Sequence, residues 1–397
     1  MTATASFEFS TVGRIVFGPG AADGLGDIAA SFGRRALLVV GSRTLDRDGV
    51  VRRIAAALAE RKVEATVFAA HGEPDVELVD SAARQAVDEG CDLVIGLGGG
   101  SALDAAKAAA VLATNGGSAL DYMEVVGRGA SLNRPGLPIV AVPTTAGTGA
   151  EATRNAVITA RERAFKASIR SPYLLPRVAV VDPTLTLSLP AGVTASTGLD
   201  ALTQLLEAFV SRRASAITDA LALEGLRRAG RSLAKACDRG DDLEARTDMC
   251  LASLLGGVVL ANAGLGAVHG FASPLGGRYP IPHGAACAAL LPHVTSANVW
   301  ALRQRDPGGP TLAKYAAAGE ALLGTRSVTI SEGAEACARA LADLVRLLAI
   351  PPLKAFGVRL EDVPDLVAAA EGASSMRGNP IALTKVELAE VLAAAIG

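Results

Sequence analysis

Residues 91–114, CDLVIGLGGGSALDAAKAAAVLAT, decide the fold of this chain. A short apolar run, three glycines with a serine, and an alanine-rich stretch at helical spacing read as strand, turn and helix. The same grammar repeats outward. RALLVVGS (35–42) is a continuous apolar run typical of a strand buried on both faces, and DGVVRRIAAALAERK (48–62) follows at helical spacing. EATVFAA (64–70) and VELVDSAARQAVDEG (76–90) give a second such pair. LPIVAV begins another strand at 137, and RVAVVDP (177–183) holds one more. Strands alternating with helices predict a parallel α/β sheet with crossover helices. Residues 7–18, FEFSTVGRIVFG, alternate and predict an N-terminal hairpin.

After Pro190 the character changes. From residue 194 onward nearly every segment is rich in Ala and Leu with helical periodicity, and no strand-like run interrupts them. At 397 residues the chain exceeds what one core usually holds. The expected division is therefore an α/β dinucleotide-binding domain over 1–188 and an all-helical domain over 189–397. The boundary falls in the Pro-, Thr- and Ser-rich DPTLTLSLPAG.

Half of the residues are hydrophobic and 20% are charged, which describes a well-buried globular protein and excludes a disordered one. Lys and Arg number 38 against 40 Asp and Glu, so there is no global basic field to attract nucleic acid or an anionic membrane. The N-terminus lacks the basic and apolar regions of a signal peptide, and charged residues break the Ala-rich runs. Five scattered cysteines without a CxxC pair read as reduced core thiols. The expectation is a soluble cytoplasmic protein.

Two loops carry nucleotide chemistry. Gly98, Gly99, Gly100 and Ser101 let backbone N–H groups approach a ligand at a helix N-terminus, which suits a pyrophosphate. Taken alone, this loop also reads as a tight turn. A second small-residue loop after another strand, PTTAGTGAEATRN (143–155), turns the reading toward a dinucleotide. In the helical half, GLGAVHGFASPLGGRYPIPHGAACAALLPHV (264–294) places His269 and His283 fourteen residues apart. STGLDALTQLLEAFVS (196–211) places Asp200 and Gln204 one helical turn apart. An acid and two imidazoles read as a divalent-metal site, with satisfied core histidines as the alternative. His71 and His293 carry no such reading.

FGPGA (17–21), GGGSALDAAK (98–107), PTTAGTGAEAT (143–153), VDP (181–183), GLDALTQLLEAFVS (198–211) and VHGFASPLGGRYPIPHG (268–284) stand in one order along essentially the whole chain. In these motifs it resembles the iron-containing, or group III, alcohol dehydrogenase family. The resemblance implies a Rossmann-like α/β domain plus an all-α domain, the architecture shared with dehydroquinate synthase. It implies an NAD(P)(H)-dependent alcohol dehydrogenase or carbonyl reductase acting on a small molecule, as a homodimer. It carries dinucleotide contacts onto Gly98, Gly99, Gly100, Ser101, Asp104, Thr144, Thr145, Thr148, Thr153, Asn155 and Lys166. The metal, Fe2+ or Zn2+, falls on Asp200, Gln204, His269 and His283.

Two positions depart from the family. Gln204 stands where the family has a ligating histidine, and an amide oxygen is a far weaker ligand. Ser273 stands where many members have a histidine close to the substrate, and with Lys166 it is the candidate catalytic residue. Gly41, Ser42 and Arg43 follow the strand RALLVV with no carboxylate to repel a 2′-phosphate, and Arg43 can pair with one. NADP(H) is therefore expected at least as much as NAD(H). The alternative is a metal-independent reductase like the maleylacetate reductases, with Arg154, Lys166 and Arg278 as partners for an oxo-acid carboxylate.

Overall fold

The alternation of apolar runs and helical stretches becomes β1 (Ile15–Phe17), α1 (Leu25–Ala30), β2 (Arg35–Val40), α2 (Arg43–Arg47), α3 (Val50–Glu60), β3 (Glu64–Ala69) and α4 (Val76–Asp88). Then come β4 (Leu93–Gly98), α5 (Gly100–Asn115), α6 (Ala119–Tyr122), β5 (Ile139–Pro143), β6 (Asn155–Ala160), β7 (Phe165–Arg170) and β8 (Val178–Val181). The computed structural model describes residues 6–41, 43–163 and 165–397, so the expected nucleotide contact Ser42 lies outside the described residues.

Six strands form one parallel sheet in the order β1-β8-β5-β4-β2-β3. Alternate residues of β2 enter opposite cores. Leu37 and Val39 pack with Val79 and Ala82 of α4 and with the alanines of α5. Leu38 and Val40 pack with Leu25 and Ile28 of α1 and with Ile54 and Leu58 of α3. Burial on both faces is why these strands read as unbroken apolar runs. Each fully buried Leu, Ile or Val contributes about 1.5–3 kcal/mol. From β2 the chain steps to one side, to β3, and from β4 to the other, to β5. The segments after β2 and β4 therefore flank the switch point where open α/β sheets take ligands.

The expected N-terminal hairpin does not form. Only Ile15–Phe17 is a strand, and it pairs in parallel with β8. The backbone before it runs beside the approach to β8, with Gly13 N–H donating to the Pro176 carbonyl at 3.2 Å, so its partners lie far along the chain. The hairpin is elsewhere: β6 and β7 pair antiparallel from Asn155↔Arg170 to Ala160↔Phe165.

The second unit is helical: α7 (Ala191–Val210), α8 (Ala216–Asp238), α9 (Leu243–Ala263), α10 (Ala267–Arg278), α11 (His283–Arg305), α12 (Pro310–Leu323), α13 (Ile330–Leu347), α14 (Val363–Glu371) and α15 (Lys385–Ile396). By contacts it comprises Ser188–Gly397 with the described residues up to Ser10 and with Ala146–Thr148, whereas Thr11–Thr145 and Gly149–Leu187 form the sheet unit. Ser10 joins the helices because Asn262 of α9 accepts its N–H at 2.7 Å and donates to its carbonyl at 2.8 Å. Among the described residues, α11 is long and apolar enough to cross a membrane by length and composition, and 78% of that stretch is buried within the protein.

Three helical residues converge on one acid of α9. Asp248 accepts from Arg228 (2.8 Å), Arg231 (2.6 and 2.7 Å) and Ser232 (2.6 Å), all on α8. Burial works to raise its pKa, but Arg231, Ser232 and Arg228 hold the carboxyl below its usual range. A depressed folded-state pKa means stability present above the unfolded value near 3.8 and lost as pH falls through the folded one. Asp248→Asn is expected to cost about 1–3 kcal/mol at neutral pH, discounted for the exposed Arg231. The gap in urea midpoint between wild type and variant should close as pH is lowered below 4.

Candidate active site

The turn after β4 needs glycine. Gly98 has φ +153°, and a Cβ there would lie 2.8 Å from the Ala102 methyl. The sixteen-residue α5 begins after Gly99 with no side chain capping its N-terminus, which leaves its first N–H groups for an anion. The Thr-rich loop adjoins it: Thr144 N–H donates to the Gly98 carbonyl at 2.9 Å, and Thr145 Oγ1 lies 3.3 Å from where a Cβ on Gly99 would stand. Gly98–Ser101, Thr144 and Thr145 are thus brought together. Arg43 is exposed at the start of α2. Lys166 on β7 pairs with Glu73 at 3.3 Å, and Asn155 opens β6. Thr148 groups with the helical unit.

Asp104 and Thr153 direct their bonds inward. Fully buried Lys107 donates to Thr153 Oγ1 (2.8 Å), the Ala150 carbonyl (3.0 Å) and Asp104 Oδ1 (3.4 Å). Asp104 Oδ2 accepts the Val157 N–H at 3.0 Å. These bonds tie α5 to the turn at 150–152 and to β6. Burial pulls the Lys107 pKa down and pushes Glu151 beside it up to about 7.

In the helical unit, Asp200, Gln204 and Glu207 all lie buried on α7. His269 on α10 brings Nε2 to 3.4 Å from Asp200 Oδ1, and His283, the first residue of α11, brings Nε2 to 3.7 Å from the same oxygen. The two rings lie 5.5 Å apart between centroids, tilted by 51°. Cys287, one turn along α11, places its sulfur 3.6 Å from His283 Nε2. One donor atom from each of Asp200, His269, His283 and Cys287 lies within 4.8 Å of the others. Buried Asp200 Oδ1 and His269 Nε2 have no hydrogen-bond partner. Gln204 Oε1 is buried and unpartnered too, and lies against Gly256 of α9. Ser273 is half-buried one turn beyond His269.

Two contributors escaped the sequence reading. Glu207 accepts from His269 Nδ1 and from the Val268 N–H, each at 2.7 Å. This fixes the histidine ring with Nε2 toward Asp200. Cys287 was counted among the core thiols, although its i,i+4 spacing from His283 puts both on one helical face.

The electrostatics suit a cation. Burial works to raise the Asp200 pKa, but His283 and His269 hold it below the usual carboxylate range. Burial pulls His269 down, yet Cys287, Asp200 and Glu207 together hold it well above the ordinary histidine value. The Cys287 sulfur is the main cause of His283 being pushed up to about 9. The Asp200 and Glu207 carboxylates favour positive charge on the imidazoles, the same charge that a metal ion would bring to these atoms.

Residues 13–183 match the family described as iron-containing alcohol dehydrogenase, and 194–396 match the C-terminal part of the Fe-containing alcohol dehydrogenase family. Long-chain-alcohol dehydrogenase 1 of Geobacillus thermodenitrificans is 43% identical over 291 residues, 72% of this chain and 73% of that protein. Alcohol dehydrogenase 4 of Saccharomyces cerevisiae is 36% identical over 378 residues, 95% of each. A solved 1,3-propanediol oxidoreductase superimposes with TM-score 0.91 at 35% identity, covering 98% of this chain and 100% of that one.

Glu207→Gln tests the orientation of His269. Loss of a carboxylate behind a ligating imidazole is expected to weaken metal affinity by about 10- to 100-fold. Competition against a chromogenic chelator reads this directly. The far-ultraviolet dichroism should be unchanged.

Proposed function

We propose that this chain, which belongs to the iron-containing alcohol dehydrogenase family, holds a catalytic divalent metal with Asp200, His269 and His283, and its dinucleotide with the loops after β2, β4 and β5. The protein is an oxidoreductase that interconverts an alcohol and its carbonyl product. The observation that carries the metal reading is the pair of buried, unpartnered atoms Asp200 Oδ1 and His269 Nε2 aimed at a shared point with His283 Nε2. Each unsatisfied buried polar atom costs about 1–3 kcal/mol, more where the group is charged, and metal ligation removes that cost. A metal-independent oxo-acid reductase leaves these atoms unexplained.

The chemistry supplied at these donors is Lewis-acid polarisation of the substrate oxygen, which lowers the pKa of an alcohol. The nicotinamide supplies the hydride acceptor or donor. The chain's own residues do the positioning. Glu207 fixes the tautomer and orientation of His269. Backbone N–H groups at Gly98–Ser101 receive the pyrophosphate, with Thr144 and Thr145 beside them. Lys107 holds the following turn through Thr153 and Asp104, while Thr148, Asn155 and Lys166 complete the nicotinamide side of the proposal. Ser273 offers a hydroxyl that passes a proton by hydrogen bonding but does not itself titrate near neutrality. Gln204, whose buried Oε1 has no partner in the protein, offers a weak ligand or a hydrogen bond to bound water.

Arg43 is exposed with no acid among residues 41–43, which supports a site that admits the 2′-phosphate of NADP(H). The same reading takes the protein as a cytoplasmic homodimer. Its five cysteines are free thiols, and Ile15 on edge strand β1 is 44% exposed.

The test is reduction of NAD+ or NADP+ by a panel of primary and secondary alcohols with Zn2+ or Fe2+ supplied. His269→Ala should lose metal and turnover together, by more than about 100-fold, since loss of a ligand's partner alone costs 10- to 100-fold. Full turnover by a metal-free variant would sink the metal assignment. Arg43→Ala should lower kcat/KM for NADP+ by about 10- to 100-fold, the worth of one charged hydrogen bond, and leave NAD+ unaffected. Wild-type turnover confined to NAD+ would rule out the role given to Arg43.

A further inference from the structure

We infer that Cys287 is the fourth metal ligand of this chain, taking the place that Gln204 cannot fill, so that an Asp–His–His–Cys set holds zinc in preference to iron. This rests on the metal reading above and specifies its donor set.

The distances between donors carry the argument. Tetrahedral zinc has ligand bonds of about 2.0–2.1 Å to nitrogen or oxygen and about 2.3 Å to sulfur. The corresponding edges of the tetrahedron are about 3.3–3.4 Å between two nitrogen or oxygen donors and about 3.6 Å from nitrogen to sulfur. Here His269 Nε2 to Asp200 Oδ1 is 3.4 Å, His283 Nε2 to Asp200 Oδ1 is 3.7 Å, and Cys287 Sγ to His283 Nε2 is 3.6 Å. These three edges match those of a tetrahedral site, and all four donors lie within 4.8 Å of one another.

Burial gives a second, independent observation. Asp200 is 2% exposed and His269 is 7% exposed, and the ligand-side atom of each lacks any hydrogen bond. Cys287 is fully buried beside them, in the first two turns of α11. Gln204 offers a neutral amide oxygen, buried and unpartnered against Gly256 on α9, which makes it the poorer candidate by chemistry. Among the described residues, Cys287 brings the only sulfur in the cluster.

The donor type decides the metal. Thiolate is soft and favours zinc, whereas a site built from imidazole and carboxylate alone is less discriminating against ferrous iron. The ligand lost from α7 is thus recovered from α11, and the recovery changes the metal the site prefers.

Zinc K-edge X-ray absorption on the holoenzyme tests this without any substitution. One sulfur scatterer at about 2.3 Å with a nitrogen/oxygen shell at about 2.0–2.2 Å is expected. One zinc per chain with no sulfur in the shell would overturn the inference while leaving the proposed function intact. A chain that binds neither Zn2+ nor Fe2+, even with NADP+ present, would overturn both, and one that binds Fe2+ but no Zn2+ would overturn the inference alone. In Cys287→Ser the sulfur shell should vanish and the ratio of Zn2+ to Fe2+ affinity should fall by about tenfold or more. In Gln204→Ala the sulfur shell and metal stoichiometry should persist. The reverse pattern, with metal lost from Gln204→Ala and unchanged in Cys287→Ser, would assign the fourth position to Gln204.

Discussion

The carboxylate of Glu207 is the constraint on which the Asp200, His269 and His283 cluster depends. It reaches from the last turns of α7 to the start of α10, where Gly266 precedes the helix and no local side chain caps it. The opening N–H groups of α10 are satisfied from elsewhere: Ala267 donates to Asn379 Oδ1 at 3.1 Å and Val268 to Glu207 at 2.7 Å. An acid at this end also complements the helix dipole. The same carboxylate accepts from His269 Nδ1. One group therefore sets where α10 begins and which nitrogen of His269 is left to face Asp200. The approach is close enough to require glycine at 266, since a Cβ there would lie 2.8 Å from Glu207 Oε1.

Helix α7 shows what this arrangement costs. It is buried along most of its length, yet it carries Asp200, Thr203, Gln204 and Glu207 among its buried residues. Thr203 satisfies itself by donating to the Leu199 carbonyl at 2.7 Å, and Glu207 is satisfied by α10. Asp200 Oδ1 and Gln204 Oε1 remain unpartnered. A buried helix chosen for stability alone would carry apolar side chains at 200 and 204. Of these two atoms, Asp200 Oδ1 faces His269 and His283, and Gln204 Oε1 lies against Gly256 of α9.

The sheet was legible because burial on both faces leaves a one-dimensional trace. RALLVV and LVIGLG read as unbroken apolar runs, and they are β2 and β4. The β6–β7 hairpin left a weaker trace: NAVITA and FKASIR alternate, but the charged RER between them masks the turn. The reverse error at residues 7–18 came from an alternating pattern that finds its pairing partner, β8, more than 160 residues away. In the site, Asp200, His269 and His283 were readable because their residue types are rare in apolar helices. Cys287 was not, because cysteine is a common core residue and only its position relative to His283 distinguishes it. Glu207 was hidden for a different reason. Its partner is a histidine 62 positions along, and no local spacing announces that contact.

Donor softness, more than charge balance, sets Cys287 apart as the inferred fourth ligand. A divalent cation among Asp200, two neutral imidazoles and an amide would leave one uncompensated positive charge in a buried site. A buried charge is tolerated only when it is paired. Glu207 behind His269 offsets that excess, so a thiolate is set apart from glutamine by its softness as a donor and not by its charge. In the absence of metal, Asp200 and Glu207 favour protonated imidazoles, and His269 and His283 are both raised above the ordinary histidine range. At the proposed site a divalent metal would exchange with those protons, and its affinity should rise with pH as they become easier to displace. On the inference above, the donor that glutamine on α7 does not supply comes from α11, where Cys287 Sγ lies 3.6 Å from His283 Nε2. Positions 204 and 287 are in that sense one change in the chemistry of the site.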